Sequence, residues 1–295
     1  MSAPDTRGGA PDTSDAPSAR SRPGTSATAA APQPVAPTSR TLAEQRVADP
    51  VIPRAELREW RERFGLVAGL TLRGANGGFS LGLATEEPIG RVMGRWRSFL
   101  HAMRPAFLAV QAAPQVHSAR VTWHEQVGPG LHLAEPCDGH ATAQRGLLLA
   151  VTIADCIPIY LVAGRRMFAL LHAGWRGIAE GVLERGVALV AERSGVPPGR
   201  MAMHLGVGIC GGCYEVGPEV VQALEGRRVR RPTQLDLRDV LARRAALLGV
   251  GEVSRSPLCT SCNRDEFFTH RGSSGRDGRM VAYLGRPLDG ASLAI

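Results

Sequence analysis

Three apolar segments that follow one another in the middle of the chain constrain the fold more than any other feature. GLLLAVTIADCIPIYLV indicates one strand, a polar break and a second strand, and RMFALLHAG indicates a third. Short apolar runs bounded by turn residues are typical of strands buried on both faces. A sheet made of such strands needs further layers to cover it, so we expect a layered protein that contains helices as well as strands.

Two later segments have the periodicity of helices. GIAEGVLERGVALVAERSG carries apolar residues at helical spacing and ends at Gly195, with a proline pair beyond, which predicts one helix with a stop signal. LDLRDVLARRAALLGVG predicts a second amphipathic helix, with Leu237, Val240, Leu241, Ala245 and Leu248 on its apolar face. We see no internal repeat and no clear linker after about Arg54.

The first 50 residues differ from the rest in composition. They are dominated by Ala, Pro, Ser, Thr and Gly, as in SARSRPGTSATAAAPQPVAPTSR. Such a segment buries too little apolar surface to offset the entropy lost on ordering. We therefore predict a disordered tail over 1–50 and a single domain over 51–295.

Composition excludes several classes of function. The formal net charge is +8, every strongly basic side chain is arginine, and the absence of lysine excludes lysine Schiff-base chemistry. The arginines are spread out and lack interleaved aromatics, so we expect no nucleic-acid partner. The sequence has no apolar run of the roughly 18 residues that a membrane span needs. Six cysteines in 295 residues and the lack of a signal-like segment favour the reducing cytoplasm.

The turn HAGWRG connects a buried strand to a helix start. Gly174 and Gly177 flank the turn, and backbone N–H groups at a helix N-terminus favour an anion. Arg176 adds a fork of donors suited to phosphate. The alternative is an ordinary surface arginine.

Three soft ligands stand at the ends of apolar strands: His117, Cys156 and His172. Two imidazoles and a thiolate suit zinc, and three protein ligands leave a fourth position for water or substrate. The spacings match no short metal motif. The same residues would also serve a cysteine nucleophile with a histidine base, and the sequence does not separate these two chemistries.

Two CxxC pairs, CGGC at 210–213 and CTSC at 259–262, compete with this site. Paired CxxC motifs often hold a structural zinc. Here the gap between the pairs exceeds the roughly 15 to 20 residues of a zinc ribbon, and it contains a whole helix. The spacing therefore does not favour one ion bound by all four cysteines.

Five motifs in the same order resemble those of the YfiH family, also called laccase-domain or polyphenol-oxidase-like proteins. They are QVHSARV, DGHATAQRGLLLAVTIADCIPI, LLHAGWRG, GVGICGGCYEVGPEV and SPLCTSCNRDEFFTHRGSSGRDGRM. The resemblance extends from about Gly65 to Gly285. It implies an α+β fold in which β-sheets are sandwiched between helical layers.

The resemblance also implies an activity and a cofactor. It implies one zinc ion per chain bound by His117, Cys156 and His172, and zinc-dependent phosphorolysis of purine nucleosides such as adenosine, inosine and guanosine. Adenosine deamination and methylthioadenosine cleavage are implied as further activities. Copper-dependent oxidation of phenols is the older alternative, and editing or binding of peptidoglycan precursors is another. With eight histidines and no HxH pair, the sequence does not favour several copper centres.

We assign further residues to the predicted site, whose partners would be small-molecule nucleosides and phosphate; the oligomeric state is left open. Arg176, Cys156 and Asp155 are the expected catalytic residues. The expected substrate-binding residues are Ser80, Arg176, Cys213, Tyr214 and Arg271. The sequence departs from the family pattern at Gly82, where the family has asparagine, at the CGGC loop, which lacks the usual proline, and at Gly272, which replaces an arginine.

Overall fold

The structure, a computed structural model, describes residues 38–83, 87–291 and 293. Within these ranges the strands are β1 Thr38–Thr41, β2 Gln45–Val47, β3 Arg54–Glu56, β4 Val67–Thr71, β5 Ala109–Ala112, β6 Val121–His124, β7 Gly130–Leu133, β8 Gly139–Thr142, β9 Leu147–Ile153, β10 Ile157–Ala163, β11 Met167–Ala173, β12 Met201–Leu205, β13 Glu215–Val216, β14 Thr233–Gln234, β15 Glu252–Arg255 and β16 Met280–Gly285. The α-helices are α1 Arg58–Phe64, α2 Ile89–Met103, α3 Trp175–Glu180, α4 Val182–Ser194, α5 Pro218–Glu225 and α6 Leu237–Leu247.

Two large sheets form the centre of the described chain. Sheet I has the strand order β1-β15-β12-β10-β11-β8-β6, and sheet II has the order β2-β3-β4-β16-β9-β5-β7. β13 and β14 form a separate two-stranded ribbon. Both large sheets mix parallel and antiparallel pairs: β10 and β11 are antiparallel, whereas β12 and β15 are parallel.

The two sheets pack face to face through one apolar cluster. Tyr160 and Leu170 of sheet I and Leu149 and Ala282 of sheet II belong to this cluster, and all are fully buried. Alternate residues along a strand point to opposite faces, so the other half of each strand needs a second covering layer.

Helices supply that second layer on each outer face. Leu171 of β11 packs in a cluster that includes Val187 of α4, and Leu148 of β9 packs in one that includes Trp96 of α2. The order of layers is therefore helix, sheet, sheet, helix, which confirms the predicted fold class.

The three apolar segments form β9, β10 and β11, as predicted. β9 belongs to sheet II, whereas β10 and β11 form an antiparallel pair in sheet I. The polar break 154–156 is therefore the place where the chain passes from one sheet to the other. Cys156 therefore lies where β9 has ended and β10 begins, at the ends of inner strands of both sheets.

The helix predicted after the HAGWRG turn is two helices rather than one. Gly181 has φ +91° and separates α3 from α4, and this left-handed backbone interrupts the helix although the apolar spacing continues through it. The second predicted helix forms as α6, with Leu237, Val240, Leu241 and Ala245 buried, whereas Leu248 directly follows the helix and is half-buried.

The tail boundary predicted at residue 50 was too late. β1 and β2 lie inside the segment 1–50, and β1 pairs in parallel with β15 of sheet I. The strand TSRT lacks an apolar pattern; its register comes from backbone hydrogen bonds, and Arg40 pairs with Glu59 and Glu252. The prediction for residues 1–37 falls outside the described residues.

None of the helices in the described ranges combines the length and apolar character that crossing a membrane would require.

Candidate metal centre

A β-hairpin brings two of the predicted ligands together. In the antiparallel pair β10–β11, Pro158 lies opposite His172 and Ile157 opposite Ala173. Cys156 directly precedes β10, so it lies at the same end of the hairpin as His172. The 16 residues that separate the two ligands in sequence are thus spanned by the two strands of one hairpin.

The third ligand comes from the segment between β5 and β6. His117 Nε2 lies 3.9 Å from Cys156 Sγ, and the rings of His117 and His172 are 4.9 Å apart. One ligand atom from each residue lies within 4.8 Å of the others. We call His117, Cys156 and His172 the three-ligand cluster. His172 is buried, Cys156 half-buried and His117 exposed, so the cluster opens to solvent on one side.

Asp138 holds this cluster in place and was not assigned a role from the sequence. Its carboxylate accepts a hydrogen bond from His172 Nδ1 at 2.9 Å and from the backbone N–H of His117 at 3.0 Å. The same carboxylate accepts the N–H of Val116 and both the N–H and hydroxyl of Ser118. Because Nδ1 of His172 donates to Asp138, Nε2 is the atom left to bind a metal.

The backbone of His117 needs this support. His117 has φ +59°, a left-handed conformation that costs energy for a residue with a Cβ atom. The hydrogen bonds from residues 116–118 to one buried carboxylate offset that cost. Asp138 directly precedes β8, which pairs with β11, the strand that carries His172. The polar DGH segment at the start of a strand was the feature of the sequence that could have indicated Asp138.

The electrostatics of the cluster favour a thiolate at Cys156. Burial opposes ionisation, but the charge of His172 and hydrogen bonds from His117 and His172 outweigh it and lower the pKa of Cys156 to about 6. Burial also opposes protonation of His172, yet the negative charge of Cys156 and the bond to Asp138 raise the pKa of His172 to about 9. The two shifts belong to one pair, in which the Cys156 thiolate and the protonated His172 imidazole each favour the charged form of the other.

Gly174 allows the ligands to approach the turn that follows β11. A Cβ atom at this position would lie 2.8 Å from His117 Cδ2 and 3.0 Å from Cys156 Sγ. Close packing also explains the lack of a side chain at Gly177, because a Cβ atom there would lie 2.9 Å from the carbonyl oxygen of Ser118. The two glycines of the HAGWRG turn are therefore explained by close packing, because neither has a positive φ.

Asp155 has a positioning role in the structure. It has φ +85°, and its two carboxylate oxygens accept hydrogen bonds from the Thr260 hydroxyl and from the N–H of Arg271, each at 2.6 Å. Its carbonyl oxygen accepts the N–H of Ile209. These bonds fix the backbone directly before Cys156. The predicted catalytic role of Asp155 stays a prediction.

Tyr214 interacts with Cys156 of the cluster and with the arginines Arg271 and Arg176. The Arg271 guanidinium stacks on the Tyr214 ring, with its central carbon 4.8 Å from the ring centroid. Burial and the negative charge of Cys156 raise the pKa of Tyr214 to about 12, while Arg271 and Arg176 act in the opposite direction. Arg176 is exposed and stacks on Trp175 at 4.6 Å. Tyr214 is therefore an electrostatic neighbour of the Cys156 thiol, and Arg271 and Arg176 are electrostatic neighbours of Tyr214.

The hydrogen bonds that described residues form with Ser80 and Cys213, two other predicted substrate-binding residues, come from outside the three-ligand cluster. The Ser80 hydroxyl accepts the N–H of Arg279 at 3.0 Å, and none of the hydrogen bonds of Ser80 within the described chain reaches the three-ligand cluster. Cys213 lies with three other cysteines, 3.5 Å from Cys262 Sγ. Their predicted roles in substrate binding stay predictions.

The departures from the family pattern have local structural correlates. A Cβ at Gly82 would lie 2.9 Å from Arg279 Cγ, and one at Gly272 would lie 2.6 Å from Thr269 Cγ2. Both glycines are packed closely against neighbouring side chains. An asparagine at the first or an arginine at the second would need those neighbours to move.

The residues present fit one zinc ion. Two imidazole nitrogens and a thiol of lowered pKa are the ligand types of catalytic zinc sites, and one carboxylate orients a ligating histidine. The exposed side at His117 provides room for a further ligand. The donor set would also accept copper, so the identity of the metal is part of the proposal below.

Comparison with known proteins identifies the family. Residues 68–287 match the family described as "Multi-copper polyphenol oxidoreductase laccase", which covers most of the chain. The chain belongs to this family. The match agrees with the resemblance expected from the motifs between about Gly65 and Gly285.

Relatives share both sequence and structure with the chain. The "Purine nucleoside phosphorylase YlmD" of Geobacillus stearothermophilus is 34% identical over 252 residues, which is 75% of this chain and 90% of the relative. "Adenosine deaminase RL5", from an unknown prokaryotic organism, is 32% identical over 58% of this chain and 73% of the relative. The crystal structure of YlmD from Geobacillus stearothermophilus superposes with a TM-score of 0.71 at 29% identity, covering 79% of this chain and 96% of that one.

Proposed function

We propose that this protein is a zinc-dependent purine nucleoside phosphorylase that uses the three-ligand cluster as its metal centre. The proposal depends on one observation: ligand atoms of His117, Cys156 and His172 lie within 4.8 Å of one another, on a side that is open to solvent. It is supported by the name of the YlmD relative, of which 90% is covered by the match.

Phosphorolysis joins phosphate to the anomeric carbon of a ribose. A phosphate oxygen forms a bond to C1′, the bond from C1′ to the purine nitrogen breaks, and the base leaves with the electron pair and takes up a proton. Positive charge develops on the sugar in the transition state, so an anion held beside C1′ lowers the barrier. The products are the free base and ribose 1-phosphate.

The residues around the cluster have distinct roles in this reaction. Arg176, exposed beside the cluster, would bind phosphate through its fork of donors. Tyr214 and Arg271 form a stacked pair that would line the nucleoside site. Asp138 holds His117 and His172, and Asp155, whose predicted catalytic role is part of this proposal, fixes the backbone before Cys156. When bound, zinc supplies a Lewis acid at this position.

The proposal is tested by incubating purified, zinc-loaded protein with adenosine, inosine or guanosine, with and without phosphate. We expect free base and ribose 1-phosphate only when phosphate is present. A His172→Ala variant should lose metal at this site together with the activity. If metal-loaded protein releases no base from any of the nucleosides, the proposal is wrong.

Adenosine deamination is a second candidate because one relative carries the name "Adenosine deaminase RL5". Deamination replaces the exocyclic amino group with oxygen from water and does not need phosphate. The same incubation with adenosine distinguishes the two reactions, since deamination gives inosine and ammonia in phosphate-free buffer.

Copper oxidation of phenols is tested in the same preparation. Protein loaded with copper or with zinc is assayed for phenol oxidation and for phosphorolysis. We expect phosphorolysis with zinc, and phenol oxidation no faster than that of copper-loaded His172→Ala protein.

A further inference from the structure

Four of the six cysteines form a second group of metal-type ligands, away from the three-ligand cluster. Their sulfur atoms all lie within 4.8 Å of one another, and none forms a disulfide. We call this group the four-cysteine cluster; its members are Cys210, Cys213, Cys259 and Cys262.

Sheet I explains why two CxxC pairs so distant in sequence meet. β12 and β15 are parallel neighbours, with Leu205 opposite Arg255 at their carboxyl ends. One CxxC pair follows each strand, so both pairs leave the same edge of the sheet. Gly208 and Cys259 form a parallel bridge that continues this pairing. The long sequence gap between the two pairs, which argued against a shared site, contains α5 and α6. After these helices the chain enters β15, beside β12.

The sulfur separations are those of ligands around one ion. Cys262 Sγ lies 3.9 Å from Cys210 Sγ and 3.5 Å from Cys213 Sγ. Four sulfurs placed tetrahedrally at about 2.3 Å from zinc would be about 3.8 Å apart. A disulfide would instead require about 2.05 Å.

Backbone hydrogen bonds fold each CxxC pair and join the two pairs to each other. The N–H of Cys210 donates a hydrogen bond to Cys259 Sγ at 3.2 Å, which joins the first CxxC pair to the second. Within the first pair, the N–H of Cys213 bonds the carbonyl of Cys210 at 3.0 Å. The N–H of Asn263 bonds the carbonyl of Cys259, also at 3.0 Å, so a tight turn is present at each pair.

We propose that the four-cysteine cluster binds one zinc ion as a closed structural site with sulfur ligands only. All four positions of a tetrahedral zinc are then occupied by protein, which leaves no place for a reactant. Cys259 is buried and Cys262 exposed, so an ion can enter from the surface while one ligand is anchored in the core.

The site would stabilise the loops that hold Asp155, the residue directly before Cys156. Thr260, inside the second pair, donates its hydroxyl to Asp155, and its N–H bonds the carbonyl of Gly208. Ile209, directly before Cys210, donates its N–H to the carbonyl of Asp155. A zinc ion joining the two CxxC loops would therefore fix Thr260 and Ile209, two of the hydrogen-bond partners of Asp155, which directly precedes Cys156.

The main test removes the other metal centre and leaves every cysteine of the cluster unchanged. The full chain carrying His117→Ala and His172→Ala is expressed with zinc, purified under reducing conditions and checked for folding by circular dichroism. Elemental analysis should find about one zinc ion per chain, against about two in the unaltered protein. X-ray absorption at the zinc edge should show sulfur neighbours only, at about 2.3 Å.

A complementary variant removes two ligands of the cluster. Cys210→Ser with Cys262→Ser should lose one zinc ion per chain, whereas the control Cys137→Ala, which changes a buried cysteine outside both clusters, should keep both. The inference is overturned if the folded double-histidine variant contains no zinc, or if its zinc has nitrogen or oxygen neighbours. Detection by mass spectrometry of a disulfide within the cluster in protein purified without added oxidant would also overturn it.

Discussion

The Asp138 carboxylate lies 2.9 Å from Nδ1 of His172 and orients the ring of a predicted metal ligand. The same side chain accepts the backbone N–H of His117, so one buried carboxylate supports two of the three ligands. Replacing a group that orients a metal ligand typically lowers metal affinity by about 10- to 100-fold.

Replacement of this carboxylate should weaken metal binding without unfolding the protein. We expect Asp138→Asn to lower zinc affinity at the three-ligand cluster by roughly 10- to 100-fold, because the amide is a weaker acceptor for His172. Competition with a chromogenic chelator measures the change. Asp289→Asn, at an exposed carboxylate, serves as control and should leave affinity unchanged. Equal zinc affinities in the two variants would show that Asp138 does not support metal binding.

Gly174→Ala should disturb the metal centre through a single methyl group. The added carbon would lie within 3.0 Å of both His117 and Cys156, so at least one ligand must shift. We expect zinc occupancy at this site to fall by about 10-fold or more, by analogy with displaced supporting groups. Gly90→Ala is the matched control because nothing lies within 4 Å of its Cβ. Elemental analysis after dialysis against a weak chelator provides the measurement.

Arg176→Ala should act on phosphate more than on the nucleoside. Loss of a charge-assisted contact costs about 1.5–3 kcal/mol, which corresponds to a rise in KM for phosphate of roughly 10- to 100-fold. Steady-state kinetics with each substrate varied in turn measures the effect. Arg193→Ala is the control, since that arginine also stacks on a tryptophan but lies on α4. A larger effect on the nucleoside than on phosphate would contradict the assignment.

Glu44→Ala should destabilise the fold although this residue lies in the segment predicted to be a tail. Its buried carboxylate contacts His204 Nε2 at 3.1 Å and accepts the hydroxyl of Ser256 at 2.6 Å. Removal leaves those buried groups without their acceptor, at a cost of about 3 kcal/mol in the free energy of unfolding. Urea denaturation measures the change. A loss below about 0.5 kcal/mol would show that this segment does not support the core.

The ion pairs that fasten β1 should show a defined pH dependence. Hydrogen bonding to Arg40 is the main cause that lowers the pKa of Glu59 from 4.5 to about 2, with burial opposing it and Arg63 adding to it. A carboxylate whose pKa is lower in the folded state stabilises the protein fully above pH 4.5. That contribution is lost as the pH falls towards 2.

Glu59→Gln tests this dependence. At neutral pH we expect the variant to be less stable by about 1 kcal/mol, since the pairs are only partly buried. The difference should be the same at about pH 5 and shrink at about pH 3.5, as measured by urea denaturation at each pH. A difference that grows on acidification would have the wrong sign for a lowered pKa.

The sequence by itself determined three central strands, the helix α6 and the chemical types of the ligands. β9, β10 and β11 are apolar runs whose length and bounding residues predict strands without any tertiary information, and α6 follows from apolar spacing. Five ordered motifs, three of them around His117, Cys156 and His172, were enough to predict the family. Local patterns carry this information because burial imposes a period on each element separately.

Tertiary structure alone decided which distant residues meet. The crossing between sheets at 154–156, the support of His117 by Asp138 and the union of two CxxC pairs all depend on strand order, which no local pattern encodes. The strand β1 was missed for the same reason, because backbone pairing with β15 holds it in place without an apolar pattern. Gly181 shows the reverse case: the apolar spacing continued through it, but its left-handed backbone ended one helix and began another.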